Sequence, residues 1–61
     1  MLTSQQQWIR NLWDGGYTIA QIADEINRSR SYVIRELIKI FGYTPEYLAT
    51  LRNERELIRL A

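Results

Sequence analysis

Between Thr18 and Phe41 the chain reads TIAQIADEINRSRSYVIRELIKIF, two short runs of helical periodicity separated by Asn27, Arg28 and Ser29. Thr18 is a good N-cap, and Gln21 completes a T-x-x-Q capping box, so a helix is expected from about Ile19 to Ile26. Ile19, Ile22, Ala23 and Ile26 point inward, with the small Ala23 where two crossing helices approach closest. Asn27 is one of the few residues besides glycine that tolerate the left-handed conformation of a tight turn. Ser29 is then the expected N-cap of a helix from about Arg30 to Phe41, stopped by Gly42. Its broad apolar face is Val33, Ile34, Leu37, Ile38, Ile40 and Phe41. Ser31, Tyr32, Arg35, Glu36 and Lys39 take the opposite side.

The flanking segments are helical by the same reasoning. A helix from about Ser4 to Asp14 is announced by the S-x-x-Q spacing of Ser4 and Gln7 and closed by Gly15-Gly16. Trp8, Ile9, Leu12 and Trp13 make one apolar stripe, which assigns both tryptophans to the core; the alternative role for such rings is as stacking platforms for bases. A further helix begins at Thr44-Pro45, a cap followed by the proline favoured at the first helical position, and continues to about Leu60. Tyr47, Leu48 and Leu51 are placed to close the core. Leu57, Ile58 and Leu60 form a second apolar cluster, expected either to fold back over the first helix or to pair with another copy. No strand pattern is convincing and no linker is visible. The expected fold is all-α and without a wing: a three-helix core over residues 1–43 plus a C-terminal helix over 44–61, in one compact domain.

Bulk properties narrow the functions. A chain of 61 residues is one small domain that buries only about 60% of its unfolded surface. With neither cysteine nor histidine, disulfides, Cys/His zinc sites, thiol nucleophiles and imidazole acid–base chemistry are excluded. The sequence offers no metal site and calls for no cofactor. No apolar run approaches the ~20 residues of a membrane span, and MLTSQQQW lacks a basic-then-apolar signal pattern. The expected location is the cytoplasm, on the nucleoid, with no membrane partner. Catalysis is not expected either. Glu54 and Glu56 face different sides of a helix, the adjacent Asp24 and Glu25 also diverge, and Gly15-Gly16 precedes no phosphate-loop lysine.

The net charge is only +1, but it is unevenly placed. Residues 1–26 sum to −2, residues 27–43 to +3 and residues 44–61 to zero. The positive charge therefore sits on the segment around the helix expected over 30–41. A helix held after a tight turn with polar and basic residues outward is shaped to enter the major groove of duplex DNA.

These residues resemble the helix-turn-helix superfamily. That pattern places a small residue midway along its first helix, a turn residue four positions later and a branched apolar residue six positions after that, here Ala23, Asn27 and Val33. The longer string LWDGGYTIAQIADEINRSRSYVIRELIKIFG is similar to the trihelical subset seen in GcrA-like regulators and recombinase DNA-binding domains, with INRSRSYV matching its core motif. The resemblance covers about Trp8 to Gly42. It departs from the wider superfamily at Asn27, where glycine is commoner, and at Arg28, where many members carry an apolar residue.

What the resemblance implies is a small sequence-specific double-stranded-DNA-binding protein, a transcriptional regulator of the phage or plasmid kind. Docking geometry then makes Arg30, Ser31, Tyr32 and Arg35 the expected base-contacting residues, Arg35 foremost because a guanidinium bonds both O6 and N7 of guanine. Thr18, Gln21, Arg28, Ser29 and Lys39 are the expected phosphate contacts, which set register without reading sequence. Tyr17 either packs under the turn or faces phosphate. One such module offers few contacts, so a homodimer on two half-sites is expected, joined through Leu51, Leu57, Ile58 and Leu60. The competing expectation is a protein-interaction adaptor that binds RNA polymerase, a sigma factor or another regulator, favoured by the low net charge and the apolar C-terminal helix.

Overall fold

The computed structural model describes residues 1–60, with side chains described as far as Arg55. Four helices follow one another: α1 (Ser4–Asp14), α2 (Ile19–Ile26), α3 (Arg30–Phe41) and α4 (Pro45–Leu60). No strand occurs among the described residues. No described helix is long and apolar enough to cross a membrane.

Local chemistry sets each boundary. Thr18 Oγ1 accepts from the Gln21 N–H at 3.2 Å while Gln21 Oε1 accepts from the Thr18 N–H at 2.9 Å, the reciprocal cap expected for α2. Asn27 ends α2 in the left-handed region, φ 58 and ψ 48. That turn is closed by hydrogen bonds from Arg28 N–H to Ala23 O at 3.0 Å and from Asn27 N–H to Asp24 O at 3.4 Å. Ser29 Oγ then accepts from Tyr32 N–H and starts α3. Gly16, at φ 92, closes α1 through Gly16 N–H to Trp13 O and Tyr17 N–H to Leu12 O, both 3.1 Å.

The start of α1 differs from the sequence expectation. Thr3 and Gln6, not Ser4 and Gln7, form the capping box, at 3.1 and 3.0 Å. The two spacings are equivalent in sequence, and tertiary contact separates them. Gln6 also donates from Nε2 to Glu36 Oε2 on α3 at 3.1 Å, whereas Gln7 reaches only Asn11 on its own helix.

The core joins Ile9 and Trp13 of α1, Ile19, Ile22, Ala23 and Ile26 of α2, Val33 and Leu37 of α3, and Leu48 of α4. Helices α1, α2 and α3 each pack against the other two. Trp8 is not part of this core: it is 44% exposed, whereas Trp13 is 2% exposed. Ile9 and Trp13 lie one turn apart and point at the same seam, while Trp8 is rotated about 100° from Ile9 and falls on the rim.

Through Arg55, α4 folds back on its own chain. Leu48 is buried and Leu51 is half-buried against the core. Arg55 Nη1 donates to Trp13 O at 2.8 Å and to Tyr17 O at 3.1 Å, and its guanidinium carbon lies 3.5 Å from the Trp13 ring centroid. Trp13 is in the last turn of α1, where the helix end is electronegative, so its carbonyl, which also accepts from the Gly16 N–H, favours a cation. At the α3–α4 corner, Phe41 stacks on Tyr43 and Tyr43 meets Tyr47 edge-on. Of the four residues expected at a dimer contact, Leu51 packs within the chain, and Leu57, Ile58 and Leu60 lie outside the described side chains.

Candidate nucleic-acid interface

The exposed side of α3 carries Arg30, Ser31, Arg35 and Lys39. Ser31, Arg35 and Lys39 fall at i, i+4 and i+8 and make one stripe. Behind it, Val33 and Leu37 are fully buried and hold the helix against α1 and α2. Arg28 and Ser29, in the turn, are exposed as well. Between Asn27 and Lys39 the chain thus presents four cations around the start and outer face of one helix.

Two residues expected on that outer face are turned toward α1 instead. Tyr32 is half-buried, packs on the core, and donates from its hydroxyl to Gln5 Oε1 at 2.9 Å. The Arg28 guanidinium lies 5.4 Å from the Tyr32 ring centroid and caps its open side. Glu36 is half-buried and accepts from Gln6 Nε2 at 3.1 Å. The physical reason is the angular position of the two residues. Tyr32 and Glu36 are one turn apart, on the flank of α3 beside Val33 and Leu37, and α1 supplies Gln5 and Gln6 as polar partners along that seam. The result removes a carboxylate from the stripe and leaves it more cationic than the sequence pattern alone indicates.

The expected phosphate contacts divide similarly. Arg28, Ser29, Gln21 and Lys39 are exposed. Thr18 is 4% exposed and its hydroxyl oxygen is engaged by the Gln21 N–H, so its part is to hold the first turn of α2 in place. Tyr17 is partly exposed, with its carbonyl accepting from Arg55.

The sequence reading missed the contribution of α4. A small cavity of about 30 Å³ lies where the start of α2, the start of α3 and the side of α4 converge. Trp13 lines it from the end of α1, the N-cap Thr18 with Ile19 and Ala20 from the start of α2, Arg30 from α3, and Arg52 and Arg55 from α4. Arg52 and Arg55, three residues apart, share a helix face, which was a readable signal. What that face meets depends on the return of α4 across the turn. Burial draws the Arg55 guanidinium below its ordinary range, opposed by Tyr43 and by the Asp14 carboxylate. A guanidinium starting so far above neutrality stays charged. The ion pair seen among the described residues, Arg10 with Asp14 at 3.9 Å, is an exposed pair within α1 and does not involve these arginines.

No family model matches the chain, and no curated protein or solved structure matches it.

Proposed function

We propose that this chain is a small sequence-specific duplex-DNA-binding protein of the helix-turn-helix kind, acting as a transcriptional regulator without catalysis of its own. The observation that carries the reading is the exposed stripe Ser31–Arg35–Lys39, flanked by Arg28 and Arg30, on a helix anchored by Val33 and Leu37. A helix anchored in the core with a cationic outer face has the shape that enters a major groove. The left-handed Asn27 turn and the cap at Ser29 separate α2 from α3 by a short turn, which supports the helix-turn-helix reading.

Roles follow the geometry. Arg35 and Ser31 face outward from the first half of α3 and are the base-edge readers, Arg35 suited to guanine through paired bonds to O6 and N7. Arg28 and Lys39 flank them as phosphate contacts. Tyr32 supports the helix from α1 rather than reading bases. A single α3 reads few base pairs, so a homodimer on two half-sites completes the proposal.

The test is fluorescence anisotropy with a mixed duplex pool at about 50 and 200 mM salt. Arg28 and Lys39 of both protomers make four phosphate contacts, which give a loss of about 100-fold across that range, from a slope of about −0.9 per contact. Arg35→Ala, at an exposed position, is expected to abolish selection of a preferred sequence while circular dichroism stays unchanged. Salt-insensitive or absent binding sinks the reading. The adaptor reading, with RNA polymerase, a sigma factor or another regulator as partner, then takes its place. The exposed rings of Trp8 and Tyr47, outside the cationic stripe, favour that alternative.

A further inference from the structure

The cavity between α2, α3 and α4 gathers three arginines and no carboxylate. Arg30, Arg52 and Arg55 line it together with Trp13, Thr18, Ile19 and Ala20. Like charges converging on one concavity repel unless an anion joins them, and a guanidinium bonds phosphate oxygens in paired, planar geometry. The floor contributes in the same sense. Ile19 and Ala20 are in the first turn of α2, where main-chain N–H groups have no helical acceptor and the helix end is electropositive. The Asp14 carboxylate acts on Arg55 but is not part of the lining.

The cavity is small, about 30 Å³, and opens to solvent beside the exposed Arg52. Guanidiniums at such an opening suit the anionic oxygens of one phosphodiester, whose ester arms remain outside. Position agrees: Arg30 opens α3, so the cavity adjoins the end of the helix that approaches DNA first.

We propose that this cavity is a backbone-phosphate site for duplex DNA, in which α4 supplies Arg52 and Arg55. The inference rests on the DNA-binding reading and changes it in two ways. Arg30 contacts phosphate with the α4 arginines instead of reading a base edge. The C-terminal helix becomes part of the DNA-facing surface rather than only an appendage of the core. Arg55 is the fixed member, held by Trp13 and Tyr17 carbonyls through one nitrogen. Arg52 is exposed and closes on the phosphate from above.

Arg52 is the residue to change, because Arg55 also holds the fold. Anisotropy with the duplex pool is measured across 50 to 200 mM salt for the unaltered protein, Arg52→Ala and Arg52→Lys, with circular dichroism to confirm that each is folded. The expected result for Arg52→Ala is a salt slope smaller by about 1 for each bound protomer, about 2 for a dimer, and binding weaker for every sequence, by on the order of tenfold or more at the low-salt end. Arg52→Lys restores the slope, since the charge returns. If the unaltered protein binds with a steep slope and Arg52→Ala leaves slope and affinity unchanged, the phosphate site is overturned and the α3 reading stands. If the unaltered protein binds no duplex at 50 mM salt, both fall. A parallel titration with inorganic phosphate follows the amide resonances of Thr18, Ile19 and Ala20. Shifts there that vanish in Arg52→Ala, with the duplex slope unchanged, assign the cavity to a free anion and overturn the DNA-backbone proposal.

Discussion

Replacing Arg55 with methionine keeps an aliphatic stem and removes the group that ties α4 to the α1–α2 turn. The guanidinium donates to Trp13 O at 2.8 Å and to Tyr17 O at 3.1 Å, and it stacks on the Trp13 ring at 3.5 Å. Hydrogen bonds from charged donors contribute about 1.5–3 kcal/mol each. The bond to Tyr17 is exposed to solvent and belongs at or below the bottom of that range. The stacking adds about 0.5–1 kcal/mol for a partly exposed pair. Desolvation of the guanidinium, the main cause of its lowered pKa, works against these gains and is relieved in methionine. The net loss is then about 2–3 kcal/mol. A domain of this length is stable by about 3–9 kcal/mol, so a large share of the total disappears. Thermal melting followed at 222 nm is expected to show Tm lower by about 10–20 °C. Tryptophan emission reports the same event locally, because Trp13 loses its covering cation while Trp8 is already exposed. A change in Tm below about 3 °C would refute the reasoning. It would mean that apolar packing such as that of Leu48 and Leu51 holds α4 without the arginine, and that the arginine bonds merely replace equivalent bonds to water.

Other expected outcomes follow from the same geometry. Tyr32→Phe removes the bond to Gln5 while keeping the ring, so stability falls by about 1 kcal/mol in urea unfolding and duplex affinity stays within twofold or so; a large affinity loss at unchanged stability would return Tyr32 to the base-reading set. Gly16→Ala meets no atom within 4 Å at the new Cβ but must hold φ 92, so a loss of about 1–2 kcal/mol in the same assay is expected from backbone strain alone. Arg35→Ala is expected to leave Tm within about 2 °C, because the side chain is exposed and its backbone is unchanged, while sequence selection from a random duplex pool is lost. A fall in helicity of that variant would make Arg35 a structural residue.

By itself the sequence determined the helices, their ends and most of the inward face. Those features depend on residues a few positions apart. Thr18 and Gln21 cap each other across one turn, Asn27 supplies the left-handed residue, and Ile19, Ile22, Ala23 and Ile26 repeat at helical spacing. Short-range physics of that kind is written in the order of residues. The cationic character of residues 27–43 was legible for the same reason.

Tertiary structure decided everything that depends on which neighbour a face meets. Trp8 and Trp13 belong to one stripe in sequence, yet the seam between α1 and its partners is narrow enough to bury only Trp13. Two equivalent capping boxes compete at the start of α1, and the one whose glutamine also reaches Glu36 is formed. Tyr32 and Glu36 look like surface residues until α1 supplies Gln5 and Gln6 beside them. The three-arginine cavity is assembled from residues 22 and 25 positions beyond Arg30, after α4 has turned back across the core. Separations of that length carry no local signal, because the geometry that joins them is set by the packing of Leu48 and the bonds of Arg55, not by the intervening chain.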